Sequence, residues 1–554
     1  MITLIRKQTK TAKNDILSGL TVSLALVPEA VAFAFVAGID PIVGLYGAFI
    51  MGIITSIFGG RPGMISGATG AMAVVMVSLI QEGNKYGLAM ENPVDNLGLQ
   101  WLFITLLVVG VIQITAGLTK MGKFVRLIPH PVMMGFVNGL AIVIFLAQLG
   151  MFKEFVTDDS GLILANGDGT LMKQFMSGSE LWMMIGLVAL TMGIMFTLAR
   201  ITKKIPAALT AIVVVAGIVI FCGIEVSTVG SFVREGAQDP NAGIAGGLPV
   251  LQTQLFDLIP SLNWEAMRHI LPCAFLLAAV GLIESLMTLN LIDEITETRG
   301  SGNRECIAQG SANFLSGIFG GMGGCAMIGQ SIINVNAGGR GRLSGIVAAI
   351  SLMCFILFGS SLIEQIPIAA LVGVMFMVVI GTFAWSSFRI LNKIPLTDAF
   401  VLILVSSLTV LFDLAIAVLA GVIVSALVFS WENAKRIRAR KHTTADGIKV
   451  YEIWGPLFFG SIQAFNDKFD VKNDPEKIEI DFIESKVSDH SGIEAVRGIV
   501  NKYEDAGKTV ILKHLSSDCK KLLIKRNIKF EQIIKTDIDD PRYHVVSDTA
   551  GIME

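Results

Sequence analysis

The sequence predicts a polytopic α-helical membrane protein with 14 transmembrane segments as 7+7 inverted repeats, followed by a small cytosolic α/β domain. Three observations carry this. A mean hydropathy of +0.68 with 16% charged residues assigns most of the chain to lipid. Apolar segments recur fourteen times, and the basic residues between them fall almost wholly on one side. After Lys441 the composition becomes that of a soluble domain.

The first seven segments run roughly 15–37, 41–59, 64–80, 100–119, 127–149, 181–200 and 206–223. The second seven run roughly 270–292, 304–319, 325–337, 343–361, 367–385, 396–411 and 414–432. The polar stretches 81–99, 151–180 and 224–269 are expected to be loops. With a cytoplasmic N-terminus, inside loops hold twenty-two Lys and Arg and outside loops hold five, Lys85, Lys153, Lys173, Arg234 and Arg268. Both termini are then cytoplasmic. An odd number of spans per half makes the second half enter from the opposite side, which is an inverted repeat. The expected domains are a cytosolic segment 1–14, a membrane domain 15–441 with repeats at about 15–223 and 270–432, and a soluble domain 442–554. Thr3–Ser18 is polar and basic and does not read as a cleavable signal.

Segments 3 and 10 are too short to cross a bilayer. Each opens on glycine-rich sequence, RPGMISGATG at 61–70 and GGMGGCAMIGQ at 320–330, and continues as a short apolar helix. Irregular backbone at membrane depth is tolerated only where protein or a water-filled cavity satisfies it. Paired short segments at corresponding places in two halves point to a transport site. Their helix N-termini offer free N–H groups and partial positive charge, and so suit an anion. The plainer alternative is two helices whose glycines only allow close approach.

Ionisable residues within segments are functional candidates by default. Glu284 sits mid-segment 8, with Thr288 one turn on along the same face. Together they offer hard oxygen ligands for Na⁺, or a carboxylate that holds H⁺. A protonated Glu284 tying two helices together is the structural alternative. Glu29 follows Pro28, whose ring leaves a carbonyl unbonded in segment 1. The six Cys form no CxxC and the six His are scattered, which excludes a disulfide framework and a zinc site. Neither GxGxxG nor GxxxxGK[ST] occurs, so no cofactor and no ATP-driven pump is expected. In the tail, strands are expected at Val450–Ile453, Leu457–Phe459, Lys477–Ile483 and Thr509–His514, with helices at Gly492–Glu504 and Cys519–Lys525. Ser491 is placed to cap the first of these helices.

VPEAVAFAFVAGIDPIVGLYGAF at 27–49, SGATGAM at 66–72 and CAMIGQSIINVNAGGRGRLSG at 325–345 resemble the SulP (sulfate permease) anion transporters, and the tail resembles their STAS domain. The resemblance covers essentially the whole chain. It implies a core and a gate domain, each drawn from both repeats, working as an elevator within a homodimer. It implies that Thr69 contacts the anion. Ser66, Ala68 and Gly70 then bring backbone N–H groups close, and Ala326, Met327 and Ile328 supply donors from across the site. Glu284 takes the coupling-ion position, where sodium-coupled bicarbonate transporters of the family have Asp. Gln330 stands where many animal relatives have Arg, so no fixed positive charge is present and cation-coupled symport is favoured over exchange. Glu29 replaces a common Gln, which disfavours a dianion unless Glu29 is protonated. Asp489-His490-Ser491-Gly492 matches the pattern in which the Ser is phosphorylated in anti-sigma-factor antagonists, a regulatory alternative to capping.

The function implied is secondary transport of sulfate or bicarbonate across a bacterial inner membrane, driven by Na⁺ or H⁺, with no enzymatic activity and no nucleic-acid partner. A cytosolic partner at the STAS domain is the further interaction implied. Two other functions stand beside it: a uracil- or purine-type permease of the same architecture, and a membrane-tethered STAS signalling protein.

Overall fold

In the computed structural model each of the fourteen apolar segments contains a helix, and segments 3 and 10 open on a short strand before theirs. The model describes residues 2–90, 94, 96–122, 129–155, 173–201, 207–237, 243–244, 246–253, 263–412, 414–434, 436–526 and 529–535. Lys123, Arg126, Lys203, Lys204 and Lys435 of the charge asymmetry lie outside the described residues.

The first half comprises α1 (Ile2–Ala37), α2 (Pro41–Phe58), strand β1 (Ser66–Ala68), α3 (Gly70–Leu88), α4 (Leu97–Leu118), α5 (His130–Leu149), α6 (Gly178–Ile201) and α7 (Ala207–Cys222). A hairpin of β2 (Lys153–Phe155) and β3 (Lys173–Phe175) and the helix α8 (Val229–Ala237) lie in stretches expected to be loops. The second half comprises α9 (Trp264–Thr296), α10 (Gly302–Ile318), β4 (Gly324–Ala326), α11 (Ile328–Asn336), α12 (Arg342–Glu364), α13 (Ile368–Thr382), the short α14 (Ser386–Ile390), α15 (Leu396–Leu411) and α16 (Leu414–Ala434).

Two expectations about loops are corrected here: α3 runs on to Leu88, and α9 starts at Trp264; α1 is helical from Ile2. Hydropathy marks where lipid ends, whereas a helix ends where its backbone is capped or broken. At α9 the cap is Asn263, whose Oδ1 accepts from Ala266 N at 2.9 Å, so polar Trp264–His269 stays helical. Among the described residues eight helices are long and apolar enough to cross a membrane.

Two groups of helices emerge from the packing. In one, α1–α4 interleave with α9–α12; in the other, α5, α6 and α7 pack with α13, and α5 with α15. Each group draws on both halves. By contacts the chain divides into two units, Met1–Val422 and Ile423–Glu554, with the division inside α16.

The second unit is a five-stranded sheet in sequence order: β5 (Arg438–Thr443), β6 (Lys449–Trp454), β7 (Lys477–Glu484), β8 (Thr509–Lys513) and β9 (Ile534–Lys535). The first pair is antiparallel and the rest are parallel. Helices α17 (Ile462–Asn466), α18 (His490–Asp505), α19 (Ser517–Arg526) and α20 (Phe530–Ile533) complete the unit. Alternation in β7 buries Ile478, Ile480 and Phe482 together with Val496, Ile499 and Tyr503 of α18. Inside this core, Asp474 Oδ2 accepts from Tyr451 and Tyr503, each at 2.5 Å. Burial and this bond hold the Tyr451 phenol up to about 12. Strand β5 begins at Arg438, ahead of the composition change; its basic residues, exposed on the sheet edge, read in the sequence as a membrane-flanking cluster. Leu457–Phe459 is not a strand. Gly455, at φ +95°, turns the chain, so Leu457 makes only one bridge, to Val487, and Phe459 enters a 3-10 turn.

Candidate functional site

The site begins with a pair of three-residue strands. Pro62 and Gly63 (φ +80°) stop any helix before β1, and Gly320 (φ +71°) turns the chain ahead of β4. The freed backbones pair antiparallel, Ser66 with Ala326, Gly67 with Cys325, and Ala68 with Gly324. A Cβ on Gly324 would lie 2.1 Å from the Gly67 carbonyl oxygen, so only glycine permits the approach. One residue beyond β1, Thr69 is the N-cap of α3; one residue beyond β4, Met327 is the N-cap of α11. The strand pair thus brings two helix N-termini together inside the helical bundle.

At those termini the first intrahelical bonds are Ala73 N to Thr69 O at 2.9 Å and Ser331 N to Met327 O at 3.1 Å. The N–H groups of Gly70, Ala71 and Met72, and of Ile328, Gly329 and Gln330, precede them and are the donors a helix leaves open. The N–H of Ala326 bonds to Ser285 Oγ at 3.1 Å and that of Met327 to Ile65 O at 2.9 Å. Of the three donors expected on that side, Ile328 is therefore the one at the open helix start. Gly70 leaves no room for a side chain, since a Cβ would sit 2.7 Å from the Phe33 ring.

Glu284 of α9 meets this crossing directly. Its Oε2 accepts from Cys325 Sγ at 2.9 Å, and Cys325 Sγ lies 3.2 Å from Thr69 Oγ1. Thr288 shares the helix face as its spacing requires, but its hydroxyl bonds to the carbonyls of Glu284, at 2.8 Å, and Ala326, at 3.2 Å, rather than to the carboxylate. On the other side of the crossing Glu29 of α1 accepts from Gln330 Nε2 of α11. Thr69, Glu284, Glu29 and Gln330 are all buried.

The sequence reading missed the scaffold behind the strands. Helix α10 carries Glu305, Gln309 and Asn313 at successive four-residue steps, all buried. Glu305 Oε2 accepts from Gly60 N at 2.7 Å, and Gln309 Nε2 donates to Ser66 Oγ at 2.8 Å. Asn313 binds β4 as a third strand would: its Oδ1 accepts from Gly324 N at 2.9 Å and its Nδ2 donates to Gly324 O at 3.1 Å. Gln113 of α4 accepts from Asn313 at 3.0 Å. A polar stripe at four-residue spacing in a membrane segment was the signal that could have found them. Glu305 also joins Glu284 and Glu29 as a buried carboxylate of the helical unit.

Arg61, counted among the basic residues of the inside loops, is buried; its Nε lies 3.1 Å from Asp293 Oδ1, and Nη2 donates to Thr298 Oγ1 at 2.8 Å. In the tail, the capping role expected of Ser491 belongs to Asp489, whose Oδ1 accepts from Gly492 N at 2.8 Å. The helix starts two residues earlier than its apolar pattern, which places Ser491 in the first turn.

Residues 13–405 match the model of the sulfate permease family and residues 439–540 that of the STAS domain. A putative sulfate transporter, YbaR, of Bacillus subtilis is 40% identical over 514 residues, 92% of this chain and 96% of the relative. The bicarbonate transporter BicA of a Picosynechococcus strain is 31% identical over 516 residues, 89% and 86% of the two chains. Among solved structures, the transmembrane domain of a cyanobacterial BicA superposes with a TM-score of 0.58 at 30% identity, covering 73% of this chain and 97% of that one. SLC26A9 superposes with a TM-score of 0.74 at 16% identity, over 98% of this chain and 91% of that one, which shows a common fold.

Proposed function

The chain belongs to the sulfate permease family, a family of transporters and not of enzymes, and we propose that it is a secondary transporter of sulfate or bicarbonate driven by Na⁺ or H⁺. One observation carries the reading: α3 and α11 start from the two ends of the buried β1–β4 pair, next to the buried carboxylate of Glu284. The anion is held by the open N–H groups at the starts of α3 and α11 and by the Thr69 hydroxyl, with Ser66, Ala68 and Gly70 shaping one wall. Gln330, already bonded to Glu29, contributes a neutral amide and no countercharge.

Coupling follows from electrostatics. At about 4 Å and an effective dielectric near 20, an ionised Glu284 would repel a monoanion by about 4 kcal/mol. Neutralising Glu284 with Na⁺ or H⁺ removes that repulsion, so cation and anion assist each other's binding reciprocally. Thr288, one turn from Glu284 on the same helix face, and the Ala326 carbonyl it binds are further oxygens for the cation in this reading. Na⁺ or H⁺ is in this reading a co-transported substrate.

Helix packing supports the fourteen-span inverted repeat. If α1–α7 correspond in order to α9–α13, α15 and α16, contacts come in matched pairs. The contact of α1 with α12 answers that of α9 with α4, α2 with α12 answers α10 with α4, α9 with α3 answers α1 with α11, and α5 with α15 answers α13 with α6. The two helix groups then serve as the core and gate of an elevator, in a homodimer of the bacterial plasma membrane with both termini cytoplasmic. The domain limits 15–441 and 442–554, and phosphorylation of Ser491 as a regulatory input from a cytosolic partner, belong to the same proposal.

Uptake by proteoliposomes decides it. Labelled sulfate and bicarbonate are each offered with and without imposed Na⁺ and H⁺ gradients. Accumulation of one anion above its equilibrium level on one cation gradient is expected. Uptake of neither, in correctly inserted protein, rejects the reading.

A further inference from the structure

Cys325 stands between the two side chains that transport needs most. Its Sγ donates to Glu284 Oε2 at 2.9 Å and lies 3.2 Å from Thr69 Oγ1. It is completely buried on β4, opposite Gly67. Thr69 is an N-cap residue that makes no side-chain capping bond, so its hydroxyl is not engaged by its own helix. A thiol has a single hydrogen. It can serve the carboxylate or the hydroxyl, not both at once.

We propose that Cys325 is a positioning residue that relays cation occupancy of Glu284 to the hydroxyl of Thr69 by reversing the direction of a three-member hydrogen-bond chain. The relay rests on the transport reading above and specifies how its two ion sites communicate. With the carboxylate bare, the thiol donates to Oε2 and the Thr69 hydroxyl donates to Sγ, which holds the hydroxyl hydrogen away from the anion. With a cation on the carboxylate, Oε2 no longer draws the thiol hydrogen. The thiol then turns to a lone pair of Thr69 Oγ1, and the Thr69 hydrogen is released to an anion oxygen. No covalent bond of the protein breaks; the carboxylate gains the cation, and two hydrogens rotate about their C–S and C–O bonds.

The other charged groups on elements against α9 leave this chain to itself. Glu305 on α10 is bonded to Gly60 and Gln309, and Arg304 on the same helix donates to the Phe58 carbonyl. Glu82, Lys85 and Tyr86 lie in the last turns of α3, where Tyr86 accepts from Asn263 ahead of α9. Glu29, on α1, is held by Gln330. Neither α4 nor α11 carries an acidic or basic side chain.

The test uses the full-length protein in proteoliposomes. The KM for sulfate and for bicarbonate is measured at low and at saturating Na⁺ and H⁺ for wild type, Cys325→Ser, Cys325→Ala and Cys325→Val. In wild type the coupling cation lowers KM, by relief of charge repulsion and by release of the hydroxyl. Serine keeps a rotatable hydrogen and is expected to keep that ratio. Alanine and valine lose the hydroxyl's share, about five- to tenfold of the ratio for one hydrogen bond, while the electrostatic share persists. A loss of active protein alone changes the maximal rate and leaves the KM ratio intact, and valine fills the thiol's volume if alanine does not fold. Wild-type ratios in both alanine and valine variants, or a serine variant that behaves as alanine, overturn the relay while transport stands. A wild type whose uptake has no cation dependence overturns the coupled-transport reading, and the relay with it.

Discussion

In the proposed mechanism Glu284 is the residue on which coupling turns. Among the described residues its carboxylate accepts from the Cys325 thiol, and thiols are weak donors. An ionised form is therefore poorly satisfied without a cation. Glu284→Gln imitates the neutral state and should retain anion binding and anion exchange while losing uphill uptake on a Na⁺ or H⁺ gradient. Unchanged cation-driven accumulation by that variant would remove the coupling role. Thr69 makes a parallel case on the anion side. Thr69→Val removes a buried hydroxyl with nearly constant volume and should weaken anion binding by about 1–3 kcal/mol, read as a rise in KM. An unaltered KM would place the anion elsewhere.

At the scale of elements, the proposed site is built on a short strand pair held by a helix. β1 and β4 have three residues each, too few to persist on their own. Gln309 fixes β1 through Ser66, and Asn313 fixes β4 through both polar groups of Gly324, one helical turn apart. Only the absence of a side chain at Gly324 lets the strands meet. Gly324→Ala should separate the strands, splay the two helix N-termini and lower anion affinity together with thermal stability. Normal uptake and an unshifted melting temperature in that variant would show that the close approach is not required.

For the whole molecule, the compact second unit has its own buried core, centred on Tyr451, Ile480, Phe482, Val496 and Leu512. A soluble α/β unit with a separate core is expected to fold and act as a module. Truncation after Ala434 removes all of β5–β9 and should leave the helices inserted while reducing the dimer fraction seen by cross-linking, or the uptake rate. An intact dimer with full uptake after this truncation would make the module dispensable for both.

That each apolar segment holds a helix was readable from hydropathy alone, because lipid leaves few ways to satisfy a spanning backbone. Glu284 and Glu29 stood out in the sequence as ionisable residues against an apolar background, whereas Thr69 was singled out by the resemblance of its SGATG motif; all three are buried in the structure. The open starts of α3 and α11 announced themselves through the glycines and Pro62 that break the chain before them. Other features needed the tertiary structure. Cys325 reads as one apolar residue among many until pairing with Gly67 sets it between Glu284 and Thr69. The partners of Glu305, Gln309 and Asn313 are backbone groups far away in sequence, and Arg61 finds Asp293 only because α9 ends beside the loop after α2. Hydropathy is a property of single residues and so survives in the sequence. Hydrogen-bond partnership is a property of pairs, and only the folded chain brings those pairs within reach.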